Sequence, residues 1–207
     1  MKFLLLPSIT ILVLVLNHNI RKNKRNSKQS VKTYLSREDA ANNTRKKDIS
    51  NLPYIVVPLQ TLPLDITLND EKKQSKILQY VKDIHYLSEK KMLNLIGLTN
   101  TDLKEQYGPA NLEILTVCDQ NYSRYIRNLH LLAECIYEEY PDKAVVVWKY
   151  CLSIGTDISG TYASLGQHYV NHQQKEAFME LYDCIPDKDS ISGKTILQKL
   201  DNLLQQF

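Results

Sequence analysis

Glycine is scarce in this chain and never clustered: six residues in 207, scattered singly. That excludes a Gly-rich phosphate loop and a dinucleotide-binding turn, both of which need closely spaced glycines so that backbone N–H groups reach a phosphate. Cysteine is equally sparse. Four residues, with no Cys-x2-Cys pair, exclude a disulfide scaffold and a zinc ribbon. Seven prolines and six glycines are too few for a collagenous or low-complexity chain. The one feature in apparent balance is charge, with a formal net of +3.

That balance hides an asymmetry. Asn17–Ser50 carries ten Lys/Arg against three Asp/Glu, whereas Asn51–Phe207 carries fifteen against twenty. A basic collar thus joins an acidic body. A collar of this kind suits nucleic acid or anionic lipid, and what precedes it decides between them. Phe3–Leu16 has no charged residue and only Ser8 and Thr10 as polar side chains. Fourteen helical residues reach about 21 Å, and extending the count over 1–20 reaches about 30 Å, the thickness of a bilayer core. Residues 1–20 are therefore predicted to form a single transmembrane anchor. Arg21, Lys22, Lys24, Arg25 and Lys28 follow it at once, and flanking positive charge stays on the cytoplasmic side. The expected localisation is the cell membrane, single-pass, with the C-terminal body in the cytoplasm. The alternative is an exported binding module with a cleaved N-terminus, opposed by the lack of a small-x-small site after Leu16. The collar contains one aromatic, Tyr34, so headgroup attraction is preferred to nucleic-acid binding. In that compartment the four cysteines are expected as reduced thiols.

Residues 21–50 read as a basic juxtamembrane stalk, with a short helix over about 37–46 capped by Ser36. Residues 51–69 contain Pro53, Pro58 and Pro63 and read as an extended strap, its apolar residues docked on the body. From 70 to 207 the apolar period is helical, as in Ile77, Tyr80, Val81, Ile84 and Leu87. A short helix over Asn100–Gln106, capped by Asn100 and stopped by Gly108, precedes another opened by Pro109. The predicted fold class is all-α.

A shift of 33 residues aligns the chain with itself. Leu129 falls on Tyr162, Leu132 on Leu165, Ala133 on Gly166 and Ile136 on Tyr169. Ala144 falls on Ala177, Trp148 on Leu181 and Cys151 on Cys184. Large meets large and small meets small, the mark of stacked helical hairpins in which the small residues let helices approach. Gly155 and Pro186 are the expected ends of the second helices. The order Tyr162-x2-Leu165-Gly166-x2-Tyr169, then Ala177-x3-Leu181-x2-Cys184, resembles a tetratricopeptide (TPR-like) repeat. The resemblance implies units at about 126–158 and 159–191, a capping helix at about 192–207 and a concave face lined by the first helix of each hairpin. The chain also resembles uncharacterised membrane-anchored bacterial proteins, through residues 37–50 and Ser153-Ile-Gly-Thr-Asp-Ile-Ser159.

Residues of the first helices that lie off the packing stripe are Arg127, His130, Glu134, Tyr137, Gln167 and Asn171. A base, an acid, an aromatic and two amides suit a peptide segment, so they are the candidate partner-binding set. His168 and His172 stand one helical turn apart, a metal-compatible spacing, but Tyr169 occupies the place where a zinc-protease helix carries glutamate. A metal-dependent enzyme on that face is the remaining alternative. The expectation is a membrane-anchored helical-repeat adaptor that binds a protein or peptide, with no catalytic residues, cofactor or metal.

Overall fold

A computed structural model describes residues 29–207. The predicted anchor at 1–20 and the start of the stalk lie outside the described residues. Those described form eight α-helices and one 3-10 turn, with no strand. None of the described helices is long and apolar enough to cross a membrane. The described residues divide into two compact units, residues 29–47 with 99–112, and residues 48–98 with 113–207.

In the first unit, residues 29–42 are helical (α1). This corrects the expected helix at 37–46, because Ser36 lies within α1 and its hydroxyl bonds the Thr33 carbonyl at 2.9 Å. The stabilising contacts come from another helix, α3 (Asn100–Tyr107). The Arg37 guanidinium forks onto Glu105 at 2.6 and 2.8 Å and reaches Asp102 at 2.5 Å. Glu38 accepts from Lys104 and Thr101. The cap of α3 is Thr99, not Asn100. Thr99 has extended backbone, and its hydroxyl and N–H exchange bonds with Asp102 in a capping box. Gly108 then turns at φ +85°, and a Cβ there would lie 2.6 Å from the Arg45 carbonyl, so only glycine fits.

The second unit begins with the strap. Leu62, Leu64, Ile66 and Leu68 are buried while Thr61, Asp65 and Thr67 are exposed. This period of two is that of extended chain laid on a core rather than paired in a sheet. Gln74 fastens its end, accepting from Leu68 N–H at 2.7 Å. Gln74 belongs to α2 (Glu71–Ser88), which Asp70 caps through the N–H groups of Lys72 and Lys73. The body continues as α4 (Leu112–Ile136), α5 (Pro141–Ser153), α6 (Ser159–Asn171), α7 (Lys175–Glu180) and α8 (Ile191–Leu204).

Sequence offsets between bonded residues give the helix directions. His130 meets Thr161 and Tyr137 meets His168, each 31 residues on, so α4 and α6 run parallel. Ser159 meets Lys199 and Gln167 meets Gln206, at offsets of 40 and 39, so α8 runs parallel to α6. Helices α5 and α7 return antiparallel between them. Two helical hairpins and a final helix therefore follow one another.

Burial follows the 33-residue alignment closely in the first helices. Leu129, Leu132, Ala133 and Ile136, with Tyr162, Leu165, Gly166 and Tyr169, are all buried. The second helices diverge. Ala144, Trp148 and Cys151 are buried on α5, but α7 ends at Glu180 and leaves Leu181 and Cys184 in a turn. The expected end at Pro186 is thus too late.

Gly166 of α6 packs against side chains of both α7 and α8. A Cβ there would lie 3.1 Å from Leu203 Cδ1, 3.2 Å from Phe178 Cε2 and 3.4 Å from Leu200 Cδ2. Gly166→Ala gains about 1 kcal/mol of helix propensity and loses a comparable amount to crowding, so urea unfolding is expected to find it near neutral. Gly166→Leu overpacks the site and is expected to cost about 1–3 kcal/mol. Leu200→Ala in that background should recover part of the loss, and strict additivity would contradict the packing described.

Candidate functional site

The site is built on the corner where the first hairpin passes into the second. Gly155 turns at φ +78°, and the carbonyls exposed by the turn are taken up by side chains from three elements. Asn94 Nδ2 donates to the Ile154 and Gly155 carbonyls at 3.0 Å each. The Tyr122 hydroxyl of α4 donates to the Ile154 carbonyl at 3.0 Å. The Tyr162 hydroxyl of α6 lies 3.0 Å from the Thr156 carbonyl and 2.7 Å from that of Cys184. Thr156 is wholly buried, and its hydroxyl accepts from Ile158 N–H at 3.2 Å. Burial, and then Asp157 nearby for Tyr122 or Cys184 for Tyr162, holds both phenols well above the ordinary range. They stay neutral donors.

The fixed corner presents Asp157 and Ile158 to an open cleft whose other wall is α4, through Ser123, Ile126, Arg127, His130 and Leu131. Two of the six predicted residues, Arg127 and His130, meet there. The Arg127 side chain is exposed and forms no hydrogen bond or ion pair with another described residue. His130 is partly buried, with its Nδ1 3.2 Å from Thr161 Oγ1 and 4.0 Å from Glu134. Its ring lies over Gly160, where a Cβ would approach it to 2.8 Å. Glu134 is exposed one turn further along α4.

Tyr137 is turned to a different task. It is half-buried, its ring 5.1 Å from that of Trp148 and its hydroxyl 3.1 Å from His168 Nδ1. Gln167 and Asn171 pair with each other on α6 at 2.9 Å, and Gln167 also reaches Gln206 at 3.4 Å. Among the described residues no side-chain hydrogen bond joins this amide pair to the Arg127–His130 cleft. The set therefore lies along two neighbouring helices as a polar row with a cleft at its start. Sequence reading missed Asp157 and Ser123. The 33-residue alignment carries the available signal for the seam, since the partner of an α4 residue lies near that offset on α6.

His168 and His172 stack at 4.2 Å between ring centroids. Nδ1 of His168 faces Tyr137, and Nδ1 of His172 is 2.8 Å from the His168 carbonyl. Among the described residues no group of three His, Cys, Asp or Glu is placed to hold a metal ion. All four cysteines are free thiols, and burial pushes Cys151 up to about 12. No protein-family model, curated protein or solved structure matches this chain.

Burial lowers the pKa of both seam histidines. Glu134 opposes the effect at His130 while Lys199 adds to it; His172 and Lys149 add to it at His168 while Asp142 opposes it. The unfolded chain, with histidines near 6.5, then binds protons more readily than the folded one. Stability is full above about pH 6.5 and falls as the pH drops below it. Thermal melts between pH 7.5 and 5 should show that fall, and His130→Gln or His168→Gln should flatten it. An unchanged slope in both variants would show that the seam does not exclude the proton.

Proposed function

We propose that this chain is a membrane-anchored scaffold whose TPR-like body binds a protein or peptide segment at the cytoplasmic face of the membrane. The observation that carries the reading is the parallel succession of α4, α6 and α8. Parallel first helices leave one side of the row uncovered by the returning helices α5 and α7. Along α4 and α6 stand Arg127, His130, Glu134, Gln167 and Asn171, of which Arg127, Glu134 and Asn171 are exposed. Amides supply both a donor and an acceptor, as a peptide backbone requires, and Arg127 supplies an exposed charge without an ion pair among the described residues. The matching burial of Leu132-Ala133 and Leu165-Gly166 supports the tetratricopeptide resemblance. The apolar segment Phe3–Leu16 and the positive cluster after it support the anchor and its orientation.

Photo-crosslinking in the native membrane tests this. A crosslinking residue at Gln167 should yield a discrete adduct, lost in an Arg127→Ala, Asn171→Ala background, and one at Met179 on α7 should yield none. Equal adducts from both positions would sink the reading. Alkaline extraction and N-terminal sequencing test the anchor separately: a mature start near residue 20 would exclude it.

A further inference from the structure

The second unit carries an exposed patch that the polar row does not use. Tyr86 at the end of α2, and Ile114 and Val117 on the first turns of α4, are 52%, 46% and 50% exposed. Ile114 and Val117 stand one turn apart on α4, so their side chains share a face. They line an open cleft with Lys90 and Lys91, and Glu113 is its one acidic residue. Glu113 lies in the first turn of α4, where a carboxylate is favoured by the helix dipole. The neighbouring Glu89 does not line the cleft.

The lysines are held over aromatic rings rather than over carboxylates. Lys90 Nζ lies 4.7 Å from the Tyr86 ring centroid, and Lys91 Nζ lies 4.8 Å from that of Tyr54. Arg124 approaches the same Tyr86 ring at 6.0 Å and neutralises Asp83 at 2.8 Å. Half-exposed aliphatics beside two ring-supported ammonium groups form an amphipathic surface: apolar bodies with cationic tips. Within a body of net negative charge, this is the chemistry that seats at the headgroup boundary of an anionic bilayer.

We infer that the Ile114–Val117 face, with Lys90 and Lys91, docks the body onto an anionic lipid surface. The inference rests on the anchored reading above, because a tether keeps the body beside the bilayer and turns a weak contact into an intramolecular one. Docking through this face fixes the orientation of the body, so the anchor and the patch together form a two-point attachment.

The test uses full-length protein carrying Val117→Trp in vesicles containing phosphatidylglycerol and brominated phosphatidylcholine. The native Trp148 is buried and supplies a constant background. The added emission should be quenched by brominated lipid. It should recover with Lys90→Glu, Lys91→Glu, or with vesicles of brominated phosphatidylcholine that lack phosphatidylglycerol. Wild type and Met179→Trp should be unaffected. Circular dichroism confirms that each variant is folded. Protein that floats with the vesicles while Val117→Trp stays unquenched overturns the patch and leaves the anchor standing. Protein that does not float at all overturns the anchor, and the docking falls with it. A dimer in the bilayer that Ile114→Ser, Val117→Ser dissociates, with no quenching, would assign this face to a second copy of the chain instead.

Discussion

The second unit depends on one constraint: the chain must turn sharply after α5 without leaving buried carbonyls unpaired. A parallel succession of helices requires such a corner between every pair of hairpins. Here Asn94, Tyr122 and Tyr162 satisfy the carbonyls of Ile154, Gly155 and Thr156. An unmet buried carbonyl costs about 1–3 kcal/mol, so these side chains decide whether the corner is fixed or frayed. The Tyr162 hydroxyl also reaches the Cys184 carbonyl. One residue therefore ties the start of the second hairpin to its end.

The polar row is a by-product of that arrangement. Helices α4 and α6 lie side by side because the corner directs them so, and the seam between them is closed by His130 with Thr161 and Tyr137 with His168. Gly160 and Gly166 act at different depths. Gly160 leaves room for the His130 ring, and Gly166 admits Phe178, Leu200 and Leu203. Replacing a small residue at either place acts on the spacing of whole helices, because a packed interior has no free volume to absorb the change.

The matched burial of α4 and α6 was legible because it rests on volume. Leu132-Ala133 and Leu165-Gly166 read the same way in the sequence and in the fold. Pro53, Pro58 and Pro63 stand in the non-helical chain that precedes α2. Other elements were not legible, for reasons that are also physical. Helix α1 depends on Arg37 and Glu38 meeting Glu105, Asp102 and Lys104, more than sixty residues away. Ser36 resembled a cap because a hydroxyl serves a helix end and a helix interior by similar local bonds. Asp157 could not be placed in the cleft before the corner was known. Tyr137 was separated from the packing stripe by periodicity alone, yet its ring follows Trp148 inward.

The strap between Leu62 and Leu68 has a consequence for chain length. Its burial alternates strictly, with no strand beside it and no helix pitch to take up an error. Loss or gain of a single residue inside it would put the apolar side chains on one side of the change out of step with those on the other, turning one group outward and its exposed neighbours inward. Changes of two residues would keep the parity. This short segment therefore behaves like a toothed rack engaged with the body, tolerant of substitution between similar side chains and intolerant of odd steps.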